Sequence, residues 1–150
     1  MAIVNYTGIL AALVAILKAD TRLGGARIYS EEDPQFGVAD AGSCIAVYLS
    51  RRQAHPDQVL AAGKRTRWLL SISVWTFGFS LENFKKAQEM RDALTDQLEL
   101  VLQENRTISA TVDMMWMDGG DFLSAQNPGD GVFVAGAETS IACQVSAIST

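Results

Sequence analysis

Histidine and cysteine are scarce in this chain, with one His and two Cys among 150 residues, and no paired Cys or His stands at the spacing that a zinc site needs. His55 sits beside Pro56 and Asp57 with no Ser or Cys next to it to activate, so a solvated loop residue is expected rather than a catalytic base. Cys44 and Cys143 lie 99 positions apart, each in a strand-like run, and are expected to be buried free thiols of a reducing compartment rather than a disulfide. A Gly-rich phosphate loop is missing too, because Gly24-Gly25 follows a helical stretch instead of joining a strand to a helix N-terminus. The apolar run Ile9 to Leu17 is nine residues long, whereas a bilayer span needs about 20. No Lys or Arg precedes it as one would in a signal peptide, so a soluble, cytosolic chain without a membrane partner is expected.

Basic residues are outnumbered, 12 Lys and Arg against 17 Asp and Glu, for a net charge of −5 and a pI near 4.7. Sequence-specific or general nucleic-acid binding is therefore not expected, since phosphate contacts need a basic footprint to release counterions. What is present is globular: 49% hydrophobic and 19% charged residues. A chain of this length forms one domain that buries about two thirds of its unfolded surface.

The stretch from Trp68 to Glu104 organises the rest. Leu70-Ser-Ile-Ser-Val74 alternates as a half-buried strand does. Gly78 is expected to end it, Ser80 to cap a helix, and Phe79 and Phe84 to form a hydrophobic staple around that cap. Within the helix, Phe84, Ala87, Leu94, Leu98, Val101 and Leu102 recur at three- and four-residue steps, and the charged residues fall mostly on the other side. An earlier helix over residues 4–20 has a core stripe of Tyr6, Ile9 or Leu10, Leu13, and Ile16 or Leu17. Strands are expected at about 26–29, 43–49, 67–77, 108–117 and 132–148, the last with Ile141, Cys143, Val145 and Ala147 inward. Acidic, breaker-rich loops fill 30–42 and 118–131, and a basic loop fills 51–67. The order α-β-β-β-α-β-β specifies an α/β (α+β) single domain, residues 1–150. Its sheet is mixed but mostly antiparallel, with two α-helices packed on one face.

Chemistry-bearing clusters are few. Asp118, Asp121, Asn127 and Asp130 could offer oxygen ligands to Ca²⁺, but their spacing matches no EF-hand loop and an ordinary acidic turn outweighs it. A Ca²⁺-dependent binding domain or small hydrolase is the alternative from another functional class. No cofactor and no catalytic residue is singled out. The surfaces are more informative. Arg51, Arg52, Lys64, Arg65 and Arg67 give residues 51–67 a net +4, while residues 30–40 and 113–138 hold nine carboxylates, Glu31, Glu32, Asp33, Asp118 and Asp121 among them, and no Lys or Arg. Oppositely charged loops meeting between subunits is one reading, and simple solubility is the other. Trp75 and Phe77 fall on the strand face opposite Leu70, Ile72 and Val74, where a second layer or another chain must cover them.

An N-terminal helix with Ile9, Leu13 and Leu17, a strand ending Cys44-Ile-Ala-Val-Tyr48, a basic loop, a strand leading into an acidic amphipathic helix, and Asn105-Arg-Thr-Ile-Ser109 before the next strand together resemble the tail-terminator proteins of long-tailed bacteriophages, the minor tail protein U type. The resemblance covers most of the chain and lies in element order and loop placement, which head-closure and neck adaptor proteins share. It implies a virion protein of the tail or neck, made in the host cytoplasm and not an enzyme. It also implies a homo-oligomeric, hexameric ring that caps the tail tube, ends its polymerisation and joins tail to head. The implied partners are the tail tube protein, a head-completion or connector protein, and a tail sheath where one exists.

Overall fold

The structure is a computed structural model that describes residues 4–34, 42–54, 65–123, 126–129 and 132–148. Two helices, α1 (Tyr6–Ala19) and α2 (Phe84–Glu104), pack on one face of a six-stranded sheet. Its strands are β1 (Arg27–Ser30), β2 (Gly42–Ala54), β3 (Arg65–Ser80), β4 (Met114–Phe122), β5 (Gln126–Gly129) and β6 (Val132–Ile148). The sheet order is β1-β2-β3-β6-β4, with β5 also pairing β6. Among the described residues only the β1–β2 pairing is parallel. The expected fold class and helix placement hold, and β5 is an additional strand in what the sequence marks as loop.

Alternation along the two long central strands decides which side is core. Leu70, Ile72, Val74 and Thr76 of β3 are buried against the helices, as are Ile45 and Val47 of β2 and Ile141, Cys143 and Val145 of β6. From above, α1 contributes Ile9, Leu10, Leu13 and Leu17, and α2 contributes Leu94, Leu98, Val101 and Leu102. Leu98 is 0% exposed at the middle of that stripe. Leu98→Ala should therefore cost about 2–5 kcal/mol, the lost transfer energy plus the cavity left behind. Chemical denaturation checks this, and a loss below about 1 kcal/mol would remove Leu98 from the core.

Several boundaries differ from the sequence expectation, each for a visible reason. The β3 strand does not stop at Gly78 but runs to Ser80, which still pairs with Phe133 of β6. Ser80 Oγ accepts only a turn bond from Glu82 N at 3.0 Å, and the helix begins after Asn83, whose Oδ1 accepts from Lys86 N at 2.8 Å. The proposed staple is not made: Phe79 is buried with Val132 and Val134, while Phe84 stays 36% exposed with its ring edge-to-face on Phe133. Residues 108–111 form a turn rather than strand, with Ile108, Ser109 and Ala110 all at positive φ. Strand β4 starts only at Met114 and continues through Asp118-Gly-Gly-Asp121, absorbing a bulge between Met117 and Gly119. The segment 118–121 is thus sheet edge, not loop.

Both cysteines are free and buried, on opposite faces of the sheet. Burial pushes the Cys44 thiol up to about 11 and the Cys143 thiol up to about 12. Native protein at pH 8 should react slowly with a thiol reagent, and reductant should not move its melting temperature. A folded pKa raised above the ordinary 9.0 means that the contribution of each neutral thiol is complete below pH 9 and lost as pH climbs towards 11. A melting temperature that rises over that interval would contradict the burial.

Candidate functional site

Among the described residues the sheet has an outer edge on each side, and the two differ in charge. On one side, β1 pairs only Cys44 to Val47 of β2, so the outer half of β2 has no strand beside it among the described residues. That half carries Arg51 and Arg52, and it zips to β3 as far as Ala54 opposite Trp68. The described ends of the basic segment, residues 51–54 and 65–67, are thus strand, whereas residues 55–64 of the expected loop lie outside the described residues. Arg51 and Arg67 both fall on the face away from the helices and are exposed. Arg52 points the other way after the bulge between Leu49 and Arg51, and its guanidinium lies 5.6 Å from the Tyr6 ring and 5.7 Å from the Trp68 ring. It ties the arm to α1 by cation–π contact. The backbone of Arg65 belongs to β3 opposite Ile148, and Lys64 and His55 lie outside the described residues.

On the other side, β4 is the outer strand among the described residues. No Lys or Arg follows Arg106 in the sequence, so this edge is acidic, with exposed Asp118 and Asp121 on β4 itself. Asp121 stands in register with Glu138 of β6. Like charges opposite one another across a ladder disfavour the pairing. Among the described residues no group of three or more His, Cys, Asp or Glu side chains converges to hold a metal ion.

The acidic turn after β1 sits beside the basic edge rather than opposite it. Glu31 has a positive φ of 55° and spends its carboxylate locally, accepting from Leu49 N at 2.6 Å, where β2 loses its β1 partner. Glu32 accepts the Tyr48 hydroxyl through its carbonyl at 2.8 Å. Burial, then the charges of Asp33 and Glu31, raises the Tyr48 phenol above its usual range. Glu31 and Glu32 are thereby pinned to β2, and Asp33 is exposed next to them.

Trp75 and Phe77 lie on the helix-free face as expected, half-buried, with their rings stacked at 6.1 Å. Met114 and Trp116 share that face at the β4 edge and are 53% and 36% exposed. Sequence reasoning missed Arg91, which is 9% exposed inside the α2 stripe. Its guanidinium lies 4.9 Å from the Phe122 ring and donates to Asp92 and to the Leu123 carbonyl, so α2 grips the outer end of β4. The i to i+4 step from Ala87 to Arg91 is the signal that could have found it.

No family model matches the chain, and no curated protein matches it. Among solved structures it is similar to a chain from the virion of a native gene transfer agent particle, at 15% identity and a TM-score of 0.47, covering 95% of this chain and 99% of that one. A likeness that loose does not carry function from one chain to the other.

Proposed function

We propose that this chain is a structural subunit of a virion tail or neck that assembles into a closed ring and works by surface complementarity, capping a tail tube and offering a platform for the head. The observation that carries the reading is that Arg51 and Arg67 make the β2–β3 end of the sheet basic while Asp118 and Asp121 make the β4 edge on its other side acidic. Two different patches on opposite sides make a heterologous contact, which closes into a ring when the rotation between copies divides a full turn. Charged patches of this kind fix register and steer encounter more than they add raw affinity, which suits a subunit that must find one geometry. The tail-terminator resemblance supplies the station: a ring on the last tube layer, with the tube protein below and a connector above. A phage assembly assay tests it, since particles lacking this chain should carry tails of uncontrolled length or tails without heads. Normal tails joined to heads would overturn the assignment.

A further inference from the structure

The outer strand β4 leaves half of its backbone without a ladder. The Gly136 and Gln144 carbonyls of β6 accept from Leu123 N and Asp113 N, both at 2.8 Å, so alternate residues of β6 from 136 to 144 turn towards β4. The β4 residues opposite the others, Met115, Met117, Gly120 and Phe122, therefore turn their N–H and C=O groups outward, where no strand stands among the described residues. Edge strands are usually blunted by Lys, Pro, a bulge or a covering element. The β4 strand has its bulge between Met117 and Gly119 but no Lys or Pro, and Phe122 beyond the bulge is 70% exposed. Asp118 and Asp121 would repel a second β4 but not a basic strand. Asp121 stands in register with Glu138 on the helix-free face, and neither carboxylate has an ion pair among the described residues. A cation on a strand added outside β4 would offset the repulsion between them.

Resting on the ring reading above, we propose that β4 of one copy takes the outer half of β2 of the next, Ser50 to Ala54, as an added antiparallel strand, with Arg51 opposite Asp121. Beyond Leu49, whose N–H donates to the Glu31 carboxylate, that half of β2 has no strand on its outer side among the described residues. Strand direction fits. β2 runs antiparallel to β3, β3 to β6 and β6 to β4, so β2 and β4 point opposite ways. A copy turned about a ring axis without being flipped therefore presents β2 antiparallel to β4, and the helices of both copies lie on the same side of one continued sheet. The side-chain faces fit as well. Arg51 pairs with Ser71, between the buried Leu70 and Ile72 whose side chains face the helices, and so shares the helix-free face with Asp121 and Glu138. Main-chain bonds supply the attraction in such strand addition, and the side chains select which strand is taken.

Native mass spectrometry and site-resolved hydrogen exchange of the full chain test it. In the assembled wild type the amides of Gly120 and Phe122 should exchange at least about 100-fold more slowly than unpaired edge amides do. Phe122→Pro removes one outward N–H and sets a ring in the pairing edge, and should lower self-association at least about tenfold. Phe122→Ala loses the same aromatic side chain but keeps the amide, and should assemble as wild type does. Arg51→Glu and Asp121→Arg should each weaken assembly alone. Their equal mixture should restore rings that hold the two variants in equal numbers, because every contact of an alternating ring then joins opposite charges. If wild type is monomeric at every concentration, the ring and this contact both fall. Rings whose Gly120 and Phe122 amides exchange as free edges do would leave the ring standing and overturn the edge pairing alone. Protection of those amides in a species no larger than a dimer would mean that β4 pairs with a second β4, which overturns the occupant proposed here.

Discussion

Gly78→Ala is expected to cost about 3 kcal/mol or more, at or above the upper end of the usual penalty of about 1–3 kcal/mol for an overpacked core. The helix α2 crosses β3 at this residue so closely that a Cβ would stand 1.9 Å from the Ala87 carbonyl oxygen and 2.6 Å from the Arg91 amide nitrogen. Both obstacles are helix backbone, which cannot rotate aside as a side chain can. The helix must lift, and lifting it separates Thr95 from Thr76 and opens the packing of Leu94 and Leu98. Urea denaturation should give a lower midpoint with an unchanged slope. A change below about 1 kcal/mol would mean that α2 does not rest on β3 at Gly78.

Reversing the arm is expected to have the largest functional effect and almost none on the fold. Arg51 and Arg67 are exposed, and an exposed ion pair contributes only about 0–1 kcal/mol. Arg51→Glu/Arg67→Glu should therefore melt cooperatively within a few degrees of wild type. If these side chains meet carboxylates of a neighbour, reversal replaces attraction by repulsion at a desolvated contact, and assembly should be lost. Arg52 is left alone because its guanidinium packs on Tyr6 and Trp68, so its loss would mix packing with charge. Raising salt should weaken wild-type assembly in the same direction, since screening shortens the reach of surface charge. Rings that survive both changes would shift the interface to the face of Trp75 and Phe77, and Trp75→Ala would then dissociate them.

The sheet–helix plan was legible because the periodicities were strong. Leu70, Ile72 and Val74 alternate cleanly, Leu94, Leu98, Val101 and Leu102 recur at helical steps, and each set is buried as its pattern requires. Failures cluster where a tertiary contact overrides local signals. Gly78 reads as a breaker in sequence but stands mid-strand, because only glycine fits beneath α2. Ser80 has good capping chemistry yet stays in the ladder opposite Phe133, leaving the cap to Asn83. Ile108 to Val112 alternates like a strand, but Ile108 is buried from a left-handed turn and pairing with β6 begins only at Asp113 N, which donates to Gln144 O at 2.8 Å. Asp118 and Asp121 looked like loop acids because glycines flank them, and a bulge keeps that stretch in β4. Charge segregation was visible in the sequence. That Arg51 and Arg67 lie across the sheet from Asp118 and Asp121, while Glu31 and Glu32 sit on the basic side, depends on strand order, which no local pattern encodes.

Native mass spectrometry of the wild-type chain across a concentration series tests the central claim most directly. A closed heterologous ring predicts one dominant oligomer of fixed stoichiometry, six copies by the terminator resemblance, that dissociates to monomers in the Arg51→Glu/Arg67→Glu variant. A wild-type chain that remains monomeric, or that grows without a fixed stoichiometry, would contradict it.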